Sequence, residues 1–138
     1  MSQYQKPLPE IQPWSKPFWE GTKAHKLLIQ ECKECGQKIF YPRKFCPECW
    51  SADLTWSEAS GRAKIFSCST TLAGVEERFE ADLPFVLALV DLEEGIRMMT
   101  NIVNCNPEEV RIGMDVEVVF EDVTDEITLP KWKPAKTE

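Results

Sequence analysis

Six cysteines stand in this chain, and four fall in two alike pairs, Cys32-Lys33-Glu34-Cys35 and Cys46-Pro47-Glu48-Cys49, reading C-x2-C-x10-C-x2-C. Two thiolates three positions apart on a tight turn grip one ion, and two such knuckles complete a tetrahedron. Gly36 follows the first pair, where the chain must turn beneath the ion and a positive φ is often required. Pro47 pre-sets the turn of the second pair. The ten residues between the pairs leave room for a small hairpin. Disulfides are the rival use of such cysteines, but the first residues lack the apolar stretch of a secretory leader, and thiols this close in sequence join more easily through a metal. The spacing therefore predicts one structural zinc held by Cys32, Cys35, Cys46 and Cys49. Iron in the same ligand set is the alternative that spacing leaves open. Cys68 and Cys105 have no near neighbour of their kind and read as structural thiols in strand-like stretches.

Little else in the sequence suits catalysis. Four sulfurs saturate a tetrahedral ion and leave no position for an activated water. His25 is the single histidine, with no nucleophile elbow and no phosphate-cradling glycine loop beside it. No catalytic residue is assigned. The charge is divided unevenly: residues 1–64 hold ten Lys and Arg against seven Asp and Glu, whereas residues 65–138 hold six against sixteen. Two modules with different surfaces are expected, the second repelling polyanions. The longest apolar run, Phe85 to Val90, is too short to span a bilayer, so a cytoplasmic protein with no membrane partner is expected.

The elements that must position the cysteines follow from pattern. Residues 1–25 read as a proline-rich arm and short helix, with Ser15 as its cap, Pro17 in its first turn, and Trp14, Phe18 and Trp19 seeking burial in the body of the protein. Residues 26–58 read as a zinc ribbon whose strands are 26–31, 37–41 and 54–56. Residues 59–133 carry five strands: 63–71, 85–92, 96–103, 116–121 and 127–132. The continuous apolar run of the second predicts a strand buried on both faces. A single helical turn capped by Asn106 is expected between the third and fourth. Five such strands fit a small closed barrel, of which the oligonucleotide/oligosaccharide-binding (OB) fold is the commonest. Residues 134–138 read as a disordered tail. The fold class is thus mainly β: a short N-terminal helical segment, a rubredoxin-like zinc ribbon, then a five-stranded OB-fold barrel.

The order of these features resembles a known family. The run Phe18-Trp19-Glu20-Gly21, the strand Leu27-Leu28-Ile29-Gln30, and the segment from Cys32 to Cys49 containing Tyr41-Pro42-Arg43 all fit it. So do Gly61, the stretch from Leu83-Pro84-Phe85 to Glu93-Glu94-Gly95, and Ile112-Gly113-Met114-Asp115-Val116. The chain resembles the prokaryotic proteins that join a rubredoxin-like zinc ribbon to an OB fold, catalogued as domain of unknown function 35. The resemblance covers about residues 14 to 122. It implies a non-catalytic accessory role in acyl-CoA chemistry, as a scaffold partnering thiolase or 3-hydroxy-3-methylglutaryl-CoA synthase-like enzymes.

Coenzyme A carries phosphates that call for Lys or Arg contacts. Arg43 and Lys44, held between a proline turn and a knuckle, are the best-placed cations, and Phe40, Tyr41 and Trp50 lie near enough in sequence to wall an adenine or pantetheine arm. Tyr41, Arg43 and Lys44 are accordingly the expected coenzyme A contacts. A nucleic-acid-binding module is the alternative that ribbons and OB folds both allow, but single-strand binders need a positive groove, and the barrel half is strongly acidic.

Overall fold

In the computed structural model, which describes residues 6–135, helix α1 (Lys16–Lys23) sets Pro17 in its first turn, where a missing N–H goes unnoticed. Ser15 precedes the helix as expected, but its side chain does not cap it. The Ser15 hydroxyl instead accepts from the Gln12 N–H at 3.0 Å and donates to the Gln12 carbonyl at 3.2 Å, closing the proline-rich turn before the helix. Phe18 is buried, packed edge-on against Trp19 at 4.9 Å and against Phe40 at 5.6 Å. Gly21 lets the helix lie on the next strand: a Cβ there would stand 2.8 Å from Leu28 Cγ.

The ribbon is an antiparallel sheet of β1 (Leu28–Cys32), β2 (Lys38–Ile39) and β3 (Leu54–Glu58) in the order β2-β1-β3. Its private core is only Cys32, Ile39 and Cys46 with Leu54 against them. Leu27 and Ile29, by contrast, belong to the main apolar cluster with the barrel residues Ile65, Val90, Met98 and Trp132.

The barrel comprises β4 (Arg62–Thr71), β5 (Phe85–Leu92), β6 (Arg97–Ile102), β7 (Asp115–Asp122) and β8 (Thr128–Pro134), closed in the order β4-β5-β6-β8-β7. Strand β5 has the expected bounds but not two buried faces. Val86, Ala88, Val90 and Leu92 point inward and are buried, whereas Leu87 is exposed and Phe85 and Leu89 are half-buried. The reason is geometric: a small closed barrel has one interior, and only alternate residues of a strand reach it. A bulge between Ile65 and Ser67 bends β4.

Strand β8 joins β7 along an antiparallel ladder from Val116↔Pro134 to Asp122↔Thr128. Closure onto β6 rests on one parallel pair, Ile102↔Trp132, and on the Val103 N–H donating to the Trp132 carbonyl at 2.8 Å. The turn after β6 is the expected one: Pro107–Glu109 forms a single 3-10 turn, with the Asn106 side chain accepting from the Glu108 N–H at 3.0 Å. A second 3-10 segment, Glu77–Asp82, lies in the loop between β4 and β5. The tail expected to be disordered falls largely outside the described residues, and β8 itself runs through Pro134. No helix among the described residues is long and apolar enough to cross a membrane.

Candidate metal centre

Each knuckle is closed by the same backbone bond. The Gly36 N–H donates to the Cys32 carbonyl at 2.9 Å, and the Trp50 N–H donates to the Cys46 carbonyl at 2.9 Å. The residue after each pair is left-handed, Gly36 at φ 79° and Trp50 at φ 66°. Backbone N–H groups also aim at sulfur, from Cys35 to Cys32 Sγ at 3.5 Å and from Glu48 to Cys46 Sγ at 3.4 Å.

All four sulfurs of Cys32, Cys35, Cys46 and Cys49 lie within 4.8 Å of one another. Cys32 and Cys49 Sγ are 3.5 Å apart and Cys35 and Cys46 Sγ 3.6 Å. A tetrahedron of thiolates around zinc, with Zn–S near 2.3 Å, has edges of about 3.8 Å, so the cluster has the size that ion requires. Cys32 and Cys46 are buried while Cys35 and Cys49 reach the surface.

The protonation pattern agrees with a cation-seeking cluster. The Cys35 N–H is the main influence that lowers the Cys32 thiol, to about 7. Against the lowering effect of the Ser51 N–H, the hydrogen bond to Cys32 pushes Cys49 up to about 12. Crowded sulfurs share protons until a cation replaces them. Cys68 and Cys105 are free, half-buried thiols remote in sequence from the cluster.

The loop between the knuckles is held from below. Gln30, only 3% exposed, donates through Nε2 to the Arg43 carbonyl at 2.9 Å and accepts through Oε1 from the Arg43 N–H at 2.8 Å. This clamp presents Arg43 and Lys44 on one wall of a cleft of about 390 Å3, with Trp14 and Trp56 as its aromatic walls. Lys44 Nζ lies 4.6 Å from the Trp14 ring centroid.

Tyr41 turns to a neighbouring cleft of about 370 Å3 between ribbon and barrel, lined also by Phe40, Met98 and Met99. There its hydroxyl accepts from the Met99 N–H at 3.0 Å. Trp14 is the wall common to both clefts. Trp50 lines neither and is 76% exposed. The structure thus brings Arg43 and Lys44 together, sets Tyr41 across Trp14 from them, and supplies indoles that proximity in sequence did not suggest. Trp14 stands eighteen residues before Cys32 and Trp56 seven after Cys49, so only the folded ribbon unites them.

His25 stacks on Phe120 at 5.2 Å and its Nε2 lies 3.1 Å from Asp122 Oδ1, tying the residues after α1 to β7.

Two family descriptions match the chain: "ChsH2, rubredoxin-like zinc ribbon domain" over residues 19–55 and "ChsH2, C-terminal OB-fold domain" over residues 56–121. A DUF35 domain-containing scaffold protein of Methanocaldococcus jannaschii is 36% identical over 110 residues, covering 78% of this chain and 77% of that protein. A probable enoyl-CoA hydratase alpha subunit of Thermomonospora curvata is 37% identical over 119 residues. That match covers 86% of this chain but 37% of the relative, so the chain spans little more than a third of that protein's length. A benzoylsuccinyl-CoA thiolase subunit of Geobacter metallireducens, BbsA, is 31% identical over 71 residues, 51% of this chain and 46% of its own. The solved Ltp2-ChsH2(DUF35) aldolase superposes with a TM-score of 0.82 at 34% identity, covering 92% of this chain and 98% of that one. With the ribbon and barrel each matched in order and the scaffold protein aligned along most of its length, this chain belongs to the DUF35 family of zinc-ribbon and OB-fold proteins.

Proposed function

We propose that this chain is a non-catalytic, zinc-braced accessory subunit that docks on a thiolase-type or 3-hydroxy-3-methylglutaryl-CoA synthase-like enzyme in acyl-CoA, lipid or isoprenoid metabolism. The observation that carries it is the convergence of four sulfurs on one point with a cationic shelf above them. A closed four-thiolate sphere on Cys32, Cys35, Cys46 and Cys49 braces structure and leaves no open position for chemistry. On that brace, Arg43 and Lys44 are the contacts for the phosphates of coenzyme A, the indoles of Trp14 and Trp56 stack its adenine, and Tyr41 meets the pantetheine arm. Relatives named as scaffold proteins and as a thiolase subunit support the reading. Nucleic acid is disfavoured because residues 65–138 hold six Lys and Arg against sixteen Asp and Glu, and the strand cations Lys64, Arg97 and Lys131 are engaged with Asp115, Asp91 and Glu121 at 2.6 Å.

The test is capture of the tagged chain from its native cell and identification of what accompanies it. Recovery of a coenzyme A-dependent condensing enzyme is expected; recovery of ribosomal or replication proteins instead would favour the nucleic-acid reading. The zinc-loaded chain alone should not cleave acetoacetyl-CoA, and turnover free of partners would overturn the non-catalytic assignment.

A further inference from the structure

A further cavity lies away from the four cysteines and shares no lining residue with the Arg43–Lys44 cleft. It is a cleft of about 780 Å3 at one end of the barrel, within the range of pockets that hold small ligands. Its floor is the start of β5 and the end of β6, with Leu129 of β8 beside them. Its roof is the 72–84 loop with the 3-10 segment Glu77–Asp82. That segment buries none of its residues, yet Val75 and Phe79 are half-buried along the cleft. A loop of this length that encloses apolar space without filling it has a use for that space.

The mouth carries charge, but the charge is engaged. Lys6 of the arm contacts Asp82 of the roof, and Lys131 pairs with Glu121 at 2.6 Å. Cys105 on the wall is itself a neutral thiol, pushed up by burial and then by the nearby charge of Glu109. In an OB fold the second and third strands and the loop after the first are the usual ligand face. Here those are β5, β6 and the 72–84 loop.

We infer that this cleft binds the acyl chain of a thioester, as a neutral, extended apolar group with no phosphate held there. The site stands on its geometry; the choice of a thioester as occupant rests on the acyl-CoA reading above. The nucleotide of the same ligand class belongs to the separate Arg43–Lys44 cleft, so the two sites take different chemistry.

The probe is a series of acyl-N-acetylcysteamine thioesters from acetyl to decanoyl, which carry no nucleotide, titrated calorimetrically into the zinc-loaded full chain. Affinity should tighten roughly threefold or more for each added methylene until the cleft is full. Leu129→Trp should weaken decanoyl binding at least tenfold, and Phe79→Ala, on a loop that buries nothing, should weaken it even if Leu129→Trp misfolds. Lys23→Glu, exposed on α1 and outside the cleft, should leave thioester binding unchanged. Absence of a chain-length trend, or equal binding by both cleft variants, overturns the proposal. So does binding that appears only after residues 1–5 are deleted, which would make the chain's own N-terminal segment the occupant. Capture of a condensing enzyme without thioester binding would sink this inference and leave the accessory role standing; the reverse pair of results would do the opposite.

Discussion

The buried side chain of Gln30 holds the backbone of Arg43 at both its N–H and its carbonyl. One amide on the middle of β1 thereby supplies the partners that a β-ladder would otherwise give to a loop. Replacing it with Met keeps the length and removes both bonds, leaving two backbone groups without partners. Gln30→Met should lower stability by about 2 kcal/mol. Urea unfolding measures that, and amide exchange at Arg43 should quicken more than at β3.

Zinc should contribute to the whole molecule and not to the ribbon alone. Leu27 and Ile29 leave the ribbon to join the barrel's apolar cluster, so a collapsed ribbon exposes barrel residues too. Cys46→Ser, or strong chelation, should release the metal and lower Tm in a single broadened transition. Elemental analysis of the wild-type chain should give one zinc per chain with no visible colour. A red protein, or a Cys46→Ser chain with unchanged metal content, would refute the four-thiolate site.

Trp50 occupies the left-handed position that Gly36 fills in the other knuckle, yet its ring is largely in solvent. A bulky residue there costs about 1–2 kcal/mol of backbone strain, partly offset by the lower entropy it gives the unfolded chain. Trp50→Gly should therefore stabilise the chain by about 0.5–1 kcal/mol. Chemical denaturation at constant zinc decides it, and a loss of stability would mean that the indole makes contacts of its own.

Asp122 accepts from the Thr128 hydroxyl at 2.7 Å and faces His25, and these partners, Thr128 first, hold its carboxyl below the ordinary 3.8. A carboxylate depressed on folding adds stability above its unfolded pKa and loses it as pH falls through the folded value. The stability gap between wild type and Asp122→Asn should thus be flat at neutral pH and close below about pH 3.8. Acid titration of both proteins, followed by tryptophan fluorescence, would show a gap that instead persists to the lowest pH if the carboxylate is irrelevant.

Much of this was legible because short-range spacing encodes it. The two knuckles declare themselves within four residues each, the Phe85–Leu92 strand is bracketed by Pro84 and a Glu-Glu-Gly turn, and Asn106 before Pro107 announces its helical turn. What escaped depends on which partner each group meets in the fold. Ser15 sits where a cap belongs, but Gln12 competes for its hydroxyl. The alternate exposure of β5 follows from closure of the barrel, which no local pattern states. Gln30 reads as an ordinary polar strand residue until Arg43 arrives thirteen positions later. The 72–84 loop, acidic with isolated apolar residues, has no period to betray that it roofs a cleft.

Strand β8 comes last among the strands in chain order yet sits between β6 and β7 in the barrel. On the ribosome, then, β6 and β7 must each wait with one raw edge until Trp132 has cleared the exit tunnel. The cysteines of the ribbon emerge long before that moment, so the metal-binding half is complete in sequence first and the barrel closes only once β8 has followed.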